Sequence, residues 1–193
     1  MGRERQKQKN EEIRRAILDT ALKIGLDEGF ELLSIRKITN ALGYSAGSVY
    51  HYFKDKQEIV DTIHEEANLI IKDRIKEVLQ VDKGFEYNTR VIFSMILELA
   101  INEPEKYNLI VLDKYSKRRE KITPWISVME QTIQVGIKKG ELRELNPAMA
   151  AFNIWSSFIG LMIMLSSKEG ITMEEAKHLF DQHMDIIMTG ISG

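Results

Sequence analysis

The fold class predicted for these 193 residues is all-α, about nine helices, with a three-helix N-terminal head followed by a larger helical body. Three observations carry it. Apolar residues recur three and four apart through nearly the whole chain, the period of a helix that buries one face. The breaks in that pattern hold helix-capping residues rather than strand-turn chemistry. Only 3 prolines, with 12 glycines, leave the chain free to build long uninterrupted elements instead of many short strands.

Taken in order, Ile13, Ile17, Leu18, Ala21, Leu22 and Ile24 predict a first helix from Glu11 to Glu28, with Gly29 at the left-handed position that ends it. Ser34 caps a short second helix carrying Ile35, Ile38, Ala41 and Leu42, which stops at Gly43. Ser45 caps a third, with Val49 and Phe53 four apart. A long amphipathic run from Asp55 carries Ile59, Ile63, Ile70 and Leu79 to a break at Val81 to Gly84, and another helix spans about Phe85 to Ile101. Pro104 and Pro124 suit a first helical turn, where a missing N–H costs nothing, and Thr123 is the cap before the second of them. That helix ends with Lys138 and Lys139 before Gly140, cations against the negative end of the dipole. Asn146-Pro147 opens the next helix, and Thr172 with Glu175 forms a capping box for the last.

The stretch from Ala148 to Leu165 is the most apolar in the chain. At 18 residues it approaches a membrane span. It contains Asn153, Ser156, Ser157 and Gly160, and lacks a basic N-terminal flank, so a buried helix with a subunit interface on one side is the better reading. The last helix, with Ala176, Leu179, Phe180, Met184, Ile187 and Met188, supplies the other half of that interface.

Hydrophobic residues at 44% and charged residues at 29% fit a globular chain and exclude wholesale disorder. The absence of cysteine excludes disulfides, thiolate metal sites and a cysteine nucleophile. The first ten residues have no apolar core of a secretory signal, and Gln6 stands where a myristoylation motif wants Ser or Thr, so a cytoplasmic protein is expected. The net charge of −2 conceals an asymmetry. Residues 1–56 hold eleven basic and eight acidic residues, a net +3, and the remainder carries −5. The leading basic run, Arg3, Arg5, Lys7 and Lys9, reads equally as a solvated tail or as a groove-binding arm.

The second and third helices with Gly43 between them have helix-turn-helix spacing. Ile38, Leu42, Val49 and Phe53 fall on the faces that must pack, leaving Ser45, Ala46, Ser48 and His51 outward. A short helix with small residues at its N-terminal end enters a major groove about 12 Å wide without collision. Lys54 and Lys56 follow at the mouth of the next helix, where backbone N–H groups also favour a phosphate.

The run from Ser34 to Val60, with Gly43, Ser45, Gly47, Val49, Tyr50, Tyr52, Phe53 and Lys56 in order, resembles the N-terminal domain of the TetR/AcrR family of bacterial transcriptional regulators. Including the first helix, the resemblance covers about the first 60 residues. It implies base-edge contacts from Arg36, Ala46, Gly47, Ser48 and His51, and phosphate contacts from Ser34, Tyr50, Tyr52, Lys54 and Lys56. Arg36 is the first choice for readout, because guanidinium to guanine is the commonest specific contact. Tyr50 and Tyr52 also read as core aromatics. Thr39 and Tyr44 depart from the family pattern, which has a small apolar residue and an aliphatic one at those places.

The resemblance further implies a division into a DNA-binding domain, residues 1–56, and a ligand-binding and dimerisation domain, residues 57–193. Its partners would be a double-stranded palindromic operator, a small-molecule effector, and a second copy joined through the two C-terminal helices, with no membrane and no cofactor. Phe93, Met95, Tyr107, Trp125, Met129, Phe152, Trp155 and Ser156 are the candidate pocket residues, each with plain core packing as the alternative. No charged residue interrupts an apolar stripe, so the expected effector is largely apolar or amphipathic.

Enzymatic readings find no apparatus. His178 and His183 are five apart and diverge around a helix, His64 lacks a second histidine for a metalloprotease pattern, and there is neither a phosphate loop nor a serine elbow. Glu174, His178 and Asp181 share a face that reads as solvated rather than metal-binding. The expected function is therefore a ligand-responsive repressor and not an enzyme. The alternative is a helical dimeric scaffold or small-molecule-binding protein, which leaves the exposed Ser45 to Ser48 face without a purpose.

Overall fold

The computed structural model describes residues 2–115 and 124–193. Nine α-helices and one 3-10 turn, Val81–Lys83, account for the regular structure of these residues. Among them the only β-pairing is a single antiparallel bridge between Leu142 and Ser192. The described chain divides into two compact units. The first is residues 2–72 with 105–115, the second residues 73–104 with 124–193.

In the first unit, α1 (Gly2–Glu28) packs on α2 (Ile35–Leu42), and α2 on α3 (Ala46–Tyr50). Ile17, Leu18, Ala21, Phe30, Ile38, Val49, Phe53 and Ile59 form a core almost without solvent contact. Ser34 is the N-cap of α2, its hydroxyl accepting the Lys37 N–H, and Gly43 ends the helix at φ 69°, a left-handed geometry that L side chains resist. Thr39 is buried, and its hydroxyl donates to the Arg36 carbonyl, so the polar group is satisfied within its own helix. The Phe30 ring lies against the backbone of α1 at Gly25, where an added Cβ would stand 2.4 Å from it. The opening turns of α4 (Lys56–Val78) belong to this unit, and Arg15 of α1 reaches Glu66 on that helix at 2.6 Å. Residues of α6 (Pro104–Ile110) complete it, followed by Tyr115, whose ring meets Phe30 at 5.3 Å.

In the second unit, α5 (Gly84–Asn102) packs against α7 (Pro124–Lys138), α8 (Pro147–Ser166) and α9 (Met173–Ile191), with α7 and α8 the most extensive pairing. Phe93, Phe158 and Phe180 are its fully buried rings, the first two stacked at 3.9 Å between centroids. The Asn146 side chain accepts from Met149 N–H ahead of Pro147, and Thr172 with Glu175 forms the complete capping box.

One expectation needs correction. Helix α1 begins at Gly2, nine residues before Glu11, so the basic run is not a tail. Periodicity missed it because residues 3–10 contain no apolar residue, yet Arg, Glu, Gln and Lys are good helix formers and neither Gly nor Pro interrupts them. The Thr123 cap lies outside the described residues.

Candidate functional site

Helix α3 is only five residues long, and capping defines its start. The Ser45 hydroxyl accepts the Ser48 N–H at 3.1 Å, and the two serine hydroxyls lie 2.8 Å apart. Val49 is fully buried and anchors the helix, while Ala46, Gly47, Ser48, Tyr50 and His51 are exposed. The face that remains is therefore small side chains, a hydroxyl and an imidazole, with no bulky group on the first turn. Arg36 is exposed on α2 and forms no ion pair among the described residues.

The remaining predicted contacts fall around this face with distinct local duties. Ser34 spends its oxygen on the α2 cap and keeps its hydroxyl proton for an acceptor. Tyr50 is 54% exposed, whereas Tyr52 is half-buried, edge-on to His51, with its hydroxyl donating to Asn10 Oδ1 at 3.3 Å. Lys54 is exposed, and the Lys56 ammonium donates to the Glu31 carbonyl at 3.3 Å. The idea of a phosphate held by amides at the mouth of α4 needs revision. The Lys54 N–H donates to the Glu58 carboxylate at 2.6 Å and the Glu58 N–H to Asp55 at 3.0 Å. These carboxylates occupy two of the amides at the helix mouth, and the Lys54 and Lys56 side chains lie beside them. The Asp55-x-x-Glu58 pattern is a capping signal that was readable in the sequence.

A second feature of this unit bears on the leading basic run. Lys9, Glu12 and Ile13 of α1 line one surface hollow together with Tyr44, Ser48, His51 and Tyr52. The stretch from Lys9 to Ile13 of α1 thus flanks the exposed face of α3.

The second unit contains a cavity of about 360 Å³ between α5, α7 and the last turns of α4. Phe93, Trp125, Met129 and Trp155 from the predicted set line it, with the two indoles parallel at 6.0 Å. Met95, Phe152, Tyr107 and Ser156 do not. Phe152 and Ser156 lie on the exposed face of α8, and Tyr107 is buried in the other unit. Sequence reasoning missed Ile75 and Leu79 at the end of α4, Thr89, Thr132 and Glu141. Most of the wall is apolar, and Glu141 at its edge accepts the Phe85 N–H at 2.6 Å through its carboxylate and so caps α5. A volume near the lower end of small-molecule sites, with few polar groups, suits a compact ligand held mainly by apolar contact.

Helix α8 has the length and apolarity to cross a membrane, by those measures alone. In the single chain it buries one face, through Ala151, Ile154, Trp155, Phe158, Met162 and Leu165. Its other face exposes Met149, Phe152, Ile163 and Met164, and α9 exposes Leu179 and Ile186 beside it. His183 joins the two helices through Ser157 Oγ at 3.2 Å, and burial lowers its pKa. Among the described residues, no cluster of three His, Asp or Glu side chains is arranged to hold a metal ion.

Comparison with known proteins bears on these features. Residues 17–63 match the model of the bacterial regulatory proteins, tetR family. The fatty acid metabolism regulator protein of Bacillus subtilis (strain 168) is 22% identical over 138 residues, covering 66% of this chain and 70% of that one. SmeT of Stenotrophomonas maltophilia, the repressor of the multidrug efflux pump SmeDEF, superposes with a TM-score of 0.73 at 17% identity, over 93% of this chain and 90% of that one. SmeT in complex with triclosan gives 0.68 at 17% identity, over 94% and 92%. At these identities the likeness to the solved structures is one of fold.

Proposed function

We propose that this chain, whose residues 17–63 match the model of the tetR family of bacterial regulatory proteins, is a ligand-responsive regulator of that kind, a homodimeric repressor acting on a palindromic operator. Residues 1–56 form the DNA-binding head, and α3 enters the major groove. Arg36, Ala46, Gly47, Ser48 and His51 meet base edges, and Ser34, Tyr50, Tyr52, Lys54 and Lys56 meet phosphates. The observation that carries this reading is the exposed Ala46 to Ser48 turn, capped by Ser45 and anchored by Val49, which presents nothing too large for the groove.

Residues 57–193 form the body, where a small, largely apolar or amphipathic effector occupies the cavity beside Trp125 and Trp155. Helix α4 follows the head at Lys56 and contributes Ile75 and Leu79 to that cavity's end of the chain. An effector that binds better when α4 is displaced shifts the head spacing away from the operator, and its differential affinity for the two spacings sets the size of the response. Two heads in one dimer read half-sites about 34 to 36 Å apart per helical turn. Such a regulator works on chromosomal DNA in the cytoplasm and uses no catalytic group.

Selection of bound duplexes from a random pool tests this reading. An inverted repeat with half-sites one or more helical turns apart is expected, and a pool that enriches no motif would contradict it.

A further inference from the structure

We infer that the N-terminal turns of α1 are a second DNA-contacting element, a rigid basic arm whose Arg5 and Lys9 meet the phosphate backbone flanking the half-site read by α3. The inference rests on the DNA-binding reading of the head and extends it to residues outside the helix-turn-helix.

Helix α1 begins at Gly2, but its first fully buried residue is Ile17, about 22 Å further along at 1.5 Å per residue. Residues Arg3 to Lys9 are all exposed, so no core requirement explains this length of helix. Its four cations, Arg3, Arg5, Lys7 and Lys9, stand against one carboxylate, Glu4. Elsewhere on α1 and α2, Arg15 pairs with Asp19 and Glu66 and Lys37 with Glu28, while Lys23 and Arg36 form no ion pair among the described residues. Arg5 and Lys9 have none among the described residues.

Position decides the partner. Lys9 lines the same hollow as Ser48 and His51, which sit on the face of α3 that meets base edges. The Tyr52 hydroxyl donates to Asn10, one residue further, and holds this part of α1 beside α3. Arg5 lies one turn before Lys9 on the same stripe, about 40° away around the axis, whereas Arg3 and Lys7 are about 120° and 160° away. A protein bound through α3 therefore brings Arg5 and Lys9, but not Arg3 and Lys7, toward the polyanion beside the half-site. The contact is electrostatic and independent of sequence, so it adds affinity and salt dependence without base preference.

The experiment compares full-length wild type with Arg5→Gln/Lys9→Gln and with Arg3→Gln/Lys7→Gln on the selected duplex across a series of salt concentrations. Each phosphate contact contributes about 0.9 to the slope of log affinity against log salt. Arg5→Gln/Lys9→Gln is expected to reduce the slope by about 1.8 per bound head, equally for matched and mismatched duplexes, while Arg3→Gln/Lys7→Gln keeps the wild-type slope. Ethylation of the flanking phosphates should interfere with wild-type binding and not with that of Arg5→Gln/Lys9→Gln, a readout independent of any change in helix content. A wild-type slope in Arg5→Gln/Lys9→Gln, or the same reduction in both pairs, would overturn the arm. Failure of the wild type itself to bind any duplex specifically would remove the DNA-binding reading and the arm with it.

Discussion

In the proposed reading, Arg36 and Lys56 hold DNA in two different ways. Arg36 is exposed on α2 with its fork unpaired, so Arg36→Ala should cost about 1 to 3 kcal/mol and relax preference at one operator position. Lys56→Ala should instead weaken matched and mismatched duplexes alike, because an ammonium on phosphate carries no base information. Affinities measured on a set of singly mutated operators distinguish them, and an unchanged preference in Arg36→Ala would remove Arg36 from the readout. His183 makes a different kind of prediction. Burial holds its imidazole below the ordinary histidine pKa, so the folded state favours the neutral ring. The unfolded chain binds the proton first as pH falls. This contribution to stability is complete above an unfolded value of about 6.5 and is lost as pH drops through the lowered folded value. The melting temperature of wild type should therefore fall between pH 7.5 and pH 5.5 more steeply than that of His183→Gln. Equal slopes would show that the ring carries no such linkage.

Elements differ in how plainly they announce themselves. The starts of α2, α3, α8 and α9 were legible because capping is local chemistry: Ser34, Ser45, Asn146 and the Thr172 to Glu175 box all make the hydrogen bonds their spacing implies. The start of α1 was not, since an exposed polar helix has no apolar face to mark its period. Pocket membership was half legible for a related reason. Trp155 faces the cavity while Phe152 and Ser156 of the same helix face out, and a helix apolar nearly all round does not say which side is which. Tyr107 shows the other limit, because a run of aromatics does not reveal which unit each will join. The outward side of α8 and α9 carries Phe152 at 55% exposure and Ile186 at 75%, a combination that suits a subunit interface. Phe152→Glu with Ile186→Glu should convert a dimeric mass to a monomeric one by sedimentation at micromolar concentration and abolish tight operator binding. A wild type that is itself monomeric there would contradict the homodimer.

At the scale of the whole molecule, the charge distribution and the cavity divide the labour. A net charge of −2 averages a head of +3 with a body of −5, and α1 carries four of the head's cations in its first turns, of which Lys9 lies beside α3. The body has a cavity of about 360 Å³ with a mostly apolar wall, and the absence of cysteine means that its sensing does not use a thiol. Response then depends on a ligand distinguishing two arrangements of one dimer, and shifting an equilibrium from 1:99 to 99:1 would require about 5.5 kcal/mol of differential binding. All of this presupposes that the α2 to α3 region is where DNA lies. Amide hydrogen exchange on the full-length protein, with and without its selected duplex, tests that most directly. Slowed exchange in peptides covering residues 34–56 and the N-terminal turns of α1, with α8 and α9 little changed, is the predicted result. Tight duplex binding that leaves residues 34–56 exchanging as in the free protein would contradict it.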